Sequence, residues 1–318
     1  MSIDLKEYKV LVTGALGVIG RRLTKRLQEA GAMVIGLDVS GASEVLEKDC
    51  LINGNMMDLK VVDRALRQLS QIPRPKAAVF HLAGMSDANQ CEIDPTAAVE
   101  QNVVLTTNLL EACVKNKIRR IIYPSTAYVY GTSYDQPIEE GFALNPEGVY
   151  PLTKVLAEEA IKGYARFADL SCDIFRISNI YGLDSKKNTI FGTMLDQAKF
   201  KNSVFLHNLQ PVRDFIFIED VIETFARSLL YGEEKGCAIF NLSTGNGTSV
   251  GELARTFCRL KDWPPEAVKC DNEAGKKSVL VLSNQRLYQR LRWKPSIDIV
   301  EGIRKTLLQS GDIKYAQT

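Results

Sequence analysis

Tyr150 and Lys154 stand four residues apart in the run GVYPLTKVLAEEA, Gly148 to Ala160. Residues at i and i+4 share one face of a helix. A phenol titrates near ~10 and is a weak base at neutral pH. A cation on the same face makes phenolate easier to form. The pair therefore has the makings of a proton-transfer group. A tyrosine that packs and a lysine that snorkels fit the spacing equally well, so the decision rests on what surrounds them.

A second chemical signal lies near the start of the chain. VTGALGVIG places Gly14, Gly17 and Gly20 between an apolar run and a helical pattern. Gly14 permits a tight turn. The later glycines allow close approach of a pyrophosphate and of helix to strand, and the helix N-terminus favours phosphate charge. The spacing alone suits an ordinary strand–helix turn too, but strand, turn and helix fall in the order that a dinucleotide site needs. Asp38 ends the second apolar run. A carboxylate there can accept hydrogen bonds from both hydroxyls of an adenosine ribose and repels a 2′-phosphate. That favours NAD over NADP; a solvated strand-end aspartate is the plainer alternative.

The elements that must hold these groups alternate. YKVLVTG, MVIGLD, AAVFHLAG, RRIIYPS and CDIFRIS read as strands. IGRRLTKRLQEAG has Ile19, Leu23, Leu27 and Ala30 at helical spacing and stops at Gly31. PTAAVEQNVVLTTNLLEACVKNK reads as one long helix, with VYPLTKVLAEEAIKGYARFA as another. The alternation predicts an α/β fold: a Rossmann-type doubly wound parallel sheet with a smaller C-terminal substrate-binding cap. Such a sheet binds ligands beyond the carboxyl ends of its strands. The rhythm loosens after position 180. The expected division is a dinucleotide-binding domain over 1–180, with 212–243 returning to it, and a cap formed by 181–211 and 244–318.

Bulk properties exclude several classes. The chain has 318 residues, 45% of them hydrophobic and 25% charged, as in a soluble globular protein. Its net charge of +2 and the lack of a basic run give no reason to expect nucleic acid. No stretch approaches the ~20 apolar residues of a membrane span, and MSIDLKEYKVLVTG has no signal-peptide core. Seven scattered cysteines without a C-x-x-C pair predict reduced thiols in a cytoplasm. His81 and His207 offer no metal-site spacing, so no metal is expected.

With these residues in view, the chain resembles the extended short-chain dehydrogenase/reductase family, in its NAD-dependent nucleotide-sugar epimerase/dehydratase branch. The likeness runs nearly end to end. It comprises TGALGVIG, Asp38, NMMD ending in Asp58, HLAG at 81–84, PSTAYVYG at 124–131, YPLTK at 150–154, FRISNIYG at 175–182, VRDFIFIEDV at 212–221, FNLSTG at 240–245 and LRWKP at 291–295. Each motif is weak alone; their order and spacing are specific.

The resemblance implies a nucleotide-sugar substrate, NAD as cofactor and a homodimer built on helices 95–117 and 150–168. It implies that Gly14, Gly17, Val18, Ile19 and Gly20 hold the cofactor, with Asp38 on the ribose and Asp58, beside Met57, on the adenine amino group. Leu82, Ala83 and Gly84 would lie beneath phosphates and ribose, with Asn102 supporting that loop. Tyr150 becomes the proton-transfer group, and Lys154 both tunes it and holds the nicotinamide ribose. Thr126 would hydrogen-bond the reacting sugar oxygen, with Ser125 behind it. Ser86 and Asn179 would face the substrate, and Arg213 would clamp its diphosphate. A salt bridge to Asp214 is the plainer role for Arg213.

Members of this branch begin alike: a base takes a proton from a sugar hydroxyl, usually at C4, while hydride moves to NAD. Dehydratases usually carry Asp and Glu directly after the catalytic threonine, and decarboxylases Glu at the second position. Here those positions are Ala127 and Tyr128. A 4-epimerase needs no extra acid–base pair, so the sequence points to one. The alternatives are a 4-keto-sugar reductase consuming external NADH or NADPH and, further off, a dehydratase or a non-catalytic dinucleotide-binding protein. Two segments depart from the family pattern: LHNLQPV, with His207 and Pro211, replaces a glycine-rich turn, and EAGKKSVLVLSNQ has no arginine before Arg286. Lys276 or Lys277 can substitute there.

Overall fold

The structure is a computed structural model that describes residues 3–41, 43–71, 76–132, 135–232, 235–272 and 275–313. The chain separates into two compact units. One comprises Met1–Tyr130, Ala143–Arg176 and Ile222–Phe240, the other Gly131–Phe142, Ile177–Val221 and Asn241–Thr318.

The chain opens with β1 (Tyr8–Thr13), α1 (Val18–Glu29), β2 (Met33–Asp38), β3 (Leu51–Asn53), α2 (Leu59–Gln71) and β4 (Lys76–His81). Then come α3 (Ala88–Ile93), α4 (Pro95–Val99), α5 (Leu105–Lys115), β5 (Arg120–Thr126), α6 (Val149–Phe167) and β6 (Ser171–Ile177). The second half holds β7 (Asn179–Tyr181), α7 (Ile190–Ala198), β8 (Val204–Leu206), β9 (Val212–Phe217), α8 (Ile218–Ser228) and β10 (Gly236–Leu242). It ends with β11 (Gly247–Ser249), α9 (Val250–Leu260), β12 (Val268–Cys270), β13 (Val279–Leu280), α10 (Gln285–Leu291) and α11 (Ile299–Gln309).

A seven-stranded sheet in the order β10-β6-β5-β4-β1-β2-β3 forms the middle of the first unit. β1 pairs in parallel with β2 and β4, β2 with β3, and β4 with β5. Helices cover both faces, which is why the strands are apolar without alternation. Leu11, Leu37, Val79 and Ile121 of the sheet share one core with Leu66, Leu109 and Ile161 of the helices. Strand order reverses across β1 and β4, so the crossovers diverge there and leave a crevice at the carboxyl ends. Thr13 and His81 end these two strands in register.

Two local features differ from the sequence expectation. β3 adds a short strand that LIN alone did not signal; it pairs with the end of β2, Gly36 opposite Leu51. The helix expected over 95–117 runs through to Lys115 but carries a π-turn in its first half. Asp94 caps α4 by accepting from the Ala97 N–H at 3.0 Å, and Glu100–Val104 then wind as a π-turn before α5. That wider turn buries Asn102. Such bulges recur at functional sites because they re-aim one side chain without ending the helix.

The second unit has its own core. β9 joins β11, β13 and β7, while β8 pairs with β12. Phe191, Met194, Phe215, Leu253, Phe257 and Ile303 pack together there. No helix among the described residues is long and apolar enough to cross a membrane.

Candidate active site

The turn from β1 into α1 is shaped by its glycines. Gly14 has φ +65°, and a Cβ on it would lie 2.9 Å from the Ala83 nitrogen. A Cβ on Gly20 would lie 2.1 Å from the Gly14 carbonyl oxygen. These two glycines thus let strand, loop and helix touch. Gly17 is different: it is exposed, and the nearest atom to its Cβ position is the Gly14 oxygen at 3.3 Å. It leaves the helix entrance open to a ligand. No side chain caps α1, and its first turn holds no acidic residue, so the positive end of the helix dipole is available to phosphate. Val18 and Ile19, partly buried, begin that helix.

Asp38 ends β2. Its Oδ2 accepts from the Leu16 N–H at 2.9 Å and its Oδ1 from the Ser40 N–H at 3.0 Å. Each oxygen keeps a second lone pair for a ribose hydroxyl. Asp58 is exposed beside Met57 and caps α2 through the Lys60 N–H at 2.9 Å. These residues, with the glycine turn, fit an adenine dinucleotide.

The loop after β4, Leu82 to Ser86, is tied down by a directed hydrogen-bond network. Thr106 Oγ1 donates to the Asn102 carbonyl at 2.7 Å. It can therefore only accept from His81, whose Nε2 lies at 3.0 Å. This assigns the proton to Nε2, so Nδ1 accepts from Thr13 Oγ1 at 2.9 Å. Thr13 Oγ1 in turn accepts from the Ala83 N–H at 3.2 Å. The Asn102 amide receives the Met85 N–H at 2.8 Å and donates to the Met85 carbonyl at 2.9 Å and to Thr153 Oγ1 at 2.9 Å. Thr153 passes the chain to the Tyr150 carbonyl at 2.8 Å. Burial lowers the His81 pKa to about 3, with the charge of Lys154 adding to the effect, so the ring is neutral. Gly84, at φ +148°, is where a Cβ would meet Asn102 Oδ1 at 2.6 Å.

Tyr150 and Lys154 lie one turn apart at the start of α6. Glu92 caps that helix, accepting from the Val149 N–H at 2.6 Å. The hydroxyl of Thr126, the last residue of β5, favours the ionised form of the Tyr150 phenol. Thr126 Oγ1 also accepts from the Tyr128 N–H at 3.3 Å. Tyr150, Lys154 and Thr126 are thereby assembled within the first unit. Both Tyr150 and Lys154 keep some accessible surface.

Burial dominates the electrostatics of both groups. Desolvation pushes Tyr150 up to about 12, against the pull of the Thr126 hydroxyl. Desolvation also lowers Lys154 to about 7, opposed by the charge of Glu158. The Lys154 ammonium stands over the Tyr123 ring, 4.1 Å from the centroid.

Ser125 is engaged elsewhere. Its Oγ donates to Glu158 Oε1 at 2.5 Å, which leaves Thr126 as the hydroxyl beside Tyr150. Glu158 also receives the Arg176 guanidinium at 2.7 Å, and Arg176 donates to the Tyr130 hydroxyl at 2.9 Å. His81, Glu158 and Arg176 were not singled out from sequence for these roles. Glu158 was within reach: Tyr150, Lys154 and Glu158 recur every four residues on one face.

Asn179 and Arg213 belong to the second unit. Asn179 is partly buried and pairs in β7 opposite Phe215. Arg213 does not bridge to Asp214. Its Nη1 donates to the carbonyls of Val212 at 2.9 Å and Ser278 at 3.0 Å, and its Nη2 to Ser278 Oγ at 3.0 Å. Asp214 points into the core and accepts from Thr244, Gly245 and Ser178. Lys276 and Lys277 are exposed next to Ser278. Among the described residues no group of His, Cys, Asp and Glu could hold a metal ion.

Residues 10–243 match the model of the NAD dependent epimerase/dehydratase family. The UDP-glucose 4-epimerase of Mycolicibacterium smegmatis is 29% identical over 310 residues, spanning 94% of this chain and 97% of that relative. GDP-mannose 3,5-epimerase 1 of Oryza sativa subsp. indica is 23% identical over 329 residues, spanning 95% and 81%. Among solved structures, the Thermus thermophilus UDP-glucose 4-epimerase in complex with NAD has a TM-score of 0.81 at 26% identity, covering 94% of this chain and 97% of that one.

Proposed function

Because the chain belongs to the NAD dependent epimerase/dehydratase family, we propose that it is an NAD-dependent nucleotide-sugar 4-epimerase whose substrate is a UDP-hexose. The observation that carries this reading is the placement of Tyr150 and Lys154 one turn apart on α6, with the Thr126 hydroxyl acting on the phenol and Ala127 and Tyr128 where an eliminating enzyme needs carboxylates. The nucleotide is inferred from relatives such as the Mycolicibacterium smegmatis enzyme.

The cofactor would be held by Gly17 and the α1 N-terminus at its phosphates, Asp38 at one ribose, Asp58 near the adenine and Lys154 at the other ribose. NAD held there would supply reversible hydride transfer at sugar C4. Tyr150 takes the proton of the C4 hydroxyl and later returns it. Thr126 hydrogen-bonds the same oxygen and keeps it in line with the phenol. A phenol pushed up to about 12 is almost wholly protonated at neutral pH and so is rarely present as the phenolate that accepts the proton. Positive charge beside the phenol, from Lys154 or the nicotinamide ring, would lower that value. Ser86, Asn179 and Arg213 are proposed substrate contacts, with Arg213 offering a guanidinium to a diphosphate.

We also propose a homodimer. Leu152 and Leu156 of α6 are 45% and 42% exposed, and Val99, just before the π-turn, and Val104, its last residue, are 38% and 37% exposed. Such a stripe is more apolar than a solvated face requires.

The test is incubation with UDP-glucose or UDP-galactose, without added reductant, followed by proton NMR. Appearance of the C4 epimer supports the reading. Turnover that consumes NADH or NADPH with a 4-keto sugar, and no epimerisation, would replace it with the reductase.

A further inference from the structure

Glu158 is fully buried and sits one helical turn beyond Lys154 on α6. An isolated carboxylate there would be costly, and the structure compensates it in detail. Arg176 meets it with Nε at 3.2 Å from both oxygens and Nη2 at 2.7 Å from Oε2. Ser125 Oγ donates to Oε1 at 2.5 Å. Lys162 lies 3.9 Å away and shares its charge with Glu159 at 2.7 Å. Arg176 is further held by Tyr130, both through the hydroxyl and with its guanidinium 4.8 Å from the ring centre.

The neighbours of this cluster are the reacting residues. Ser125 precedes Thr126 on β5, so the Ser125–Glu158 bond fixes that strand end against α6. Tyr150 and Lys154 precede Glu158 on the same helix. Resting on the epimerase reading, we propose that Glu158 is the positioning residue of this site: it locks β5 to α6 so that Thr126 meets Tyr150, and it supplies the negative charge that Lys154 faces.

The charges around Lys154 support the second half. From α6 itself Glu158 favours its ammonium form against the burial that disfavours it, while Cys91 of α3, a buried thiol, would add to this only as a thiolate. His81 of β4 is neutral, and Tyr123 of β5 offers its ring face. Among the described residues Glu158 forms ion pairs with Arg176 and Lys162, and the nearby thiol of Cys237 is pushed up to about 12 by burial and so carries no charge. Glu158 is thus the carboxylate that acts on Lys154.

The experiment labels lysine with carbon-13 at Cε and follows the Lys154 resonance, assigned by its loss in Lys154→Met, across pH in the cofactor-free protein. Lys154 should titrate near about 7 in the native chain. Two variants remove the buried charge, Glu158→Gln and Glu158→Gln with Arg176→Gln; the second avoids leaving a lone buried guanidinium. In whichever folds, the Lys154 midpoint should fall by about one unit or more, and the alkaline limb of the kcat profile should move down with it. An unmoved midpoint in a folded variant overturns the electrostatic half.

Ser125→Ala keeps the ion pair and tests the other half. It should lower kcat about tenfold with little change in KM, because the interaction it disturbs shapes the transition state, and Ser125→Thr should restore much of the loss. Native kcat in Ser125→Ala overturns the positioning role. If the native chain epimerises no nucleotide sugar, the function fails, yet the resonance midpoint still reads the effect of Glu158 on Lys154.

Discussion

The Lys154 ammonium lies 4.1 Å from the centroid of the Tyr123 ring, within the span where a π face attracts a cation. Tyr123 is buried in β5, three residues before Thr126. The same strand therefore presents the hydroxyl for the sugar and the platform for the lysine. Tyr123→Phe keeps that platform and should change kcat less than about twofold. Tyr123→Leu removes it and should cost about tenfold, since such contacts are worth ~0.5–2 kcal/mol. Equal kcat in the two variants across the neutral pH range would deny the ring this role.

Tyr150→Phe removes the phenol and leaves the ring. The reaction should slow by about 10²–10⁴-fold, the usual scale for a positioned acid–base group. Binding of the dinucleotide should persist, because the glycine turn and Asp38 are untouched. Steady-state kinetics beside mass spectrometry of the released cofactor separates the two effects. Native kcat in this variant would remove Tyr150 from the chemistry.

Local chemistry was legible in the sequence and long-range chemistry was not. The apolar strands, Gly14, Gly17 and Gly20, and the Tyr150–Lys154 spacing follow from short-range rules that the chain obeys. The π-turn at Glu100–Val104 escaped because its residues continue the apolar helical pattern on either side. Asn102 is aimed by that turn, and nothing in its neighbours announces it. The Glu158–Arg176 pair joins residues 18 positions apart across a helix and a strand. Their types alone predict two solvated charges. Only the fold shows that both are buried, and burial is what turns a surface pair into a constraint on the site.

The glycine turn separates structure from binding. On Gly20 a Cβ meets backbone at 2.1 Å and 2.8 Å, so Gly20→Ala should destabilise the chain by ~1–3 kcal/mol. On Gly17 the nearest atom is 3.3 Å away and φ is −66°, so Gly17→Ala should cost less than about 1 kcal/mol. Its methyl group would still stand where a pyrophosphate must approach, and NAD affinity should drop at least about tenfold. Urea unfolding and calorimetric titration with NAD check both statements. A Gly17→Ala chain that binds NAD normally would place the phosphates elsewhere.

The exposed leucines of α6 bear on assembly. Leu156→Glu puts a charge into the 42% exposed position without touching the core. If α6 pairs with its copy, the native chain should scatter light at twice its 35.4 kDa mass and the variant at that mass. A native monomer at micromolar concentration would remove the dimer.

His81 gives the fold a pH dependence with a definite sign. Its folded pKa is lowered from 6.5 to about 3 because the buried ring cannot take a charge between Thr13 and Thr106. Above 6.5 the ring is neutral folded and unfolded, and its contribution to stability is fully present. As pH falls below 6.5 the unfolded chain binds a proton that the folded chain refuses, so stability is lost until the folded ring also protonates near about 3. The slope from one such group is about 1.4 kcal/mol per pH unit, or about 2 kcal/mol between about pH 6.5 and about pH 5. Asp214 works the other way. Burial raises its carboxyl to about 6 despite bonds from Thr244, Gly245 and Ser178, so the folded form gains a proton first and stability as pH falls towards 3.8. The native curve is the balance of the two, and the difference between native and His81→Gln chains isolates the histidine. Urea midpoints measured across this window should converge as pH falls, because the variant lacks the titrating ring. Parallel curves would mean that His81 is protonated in the folded chain, which the Thr13–His81–Thr106 arrangement forbids.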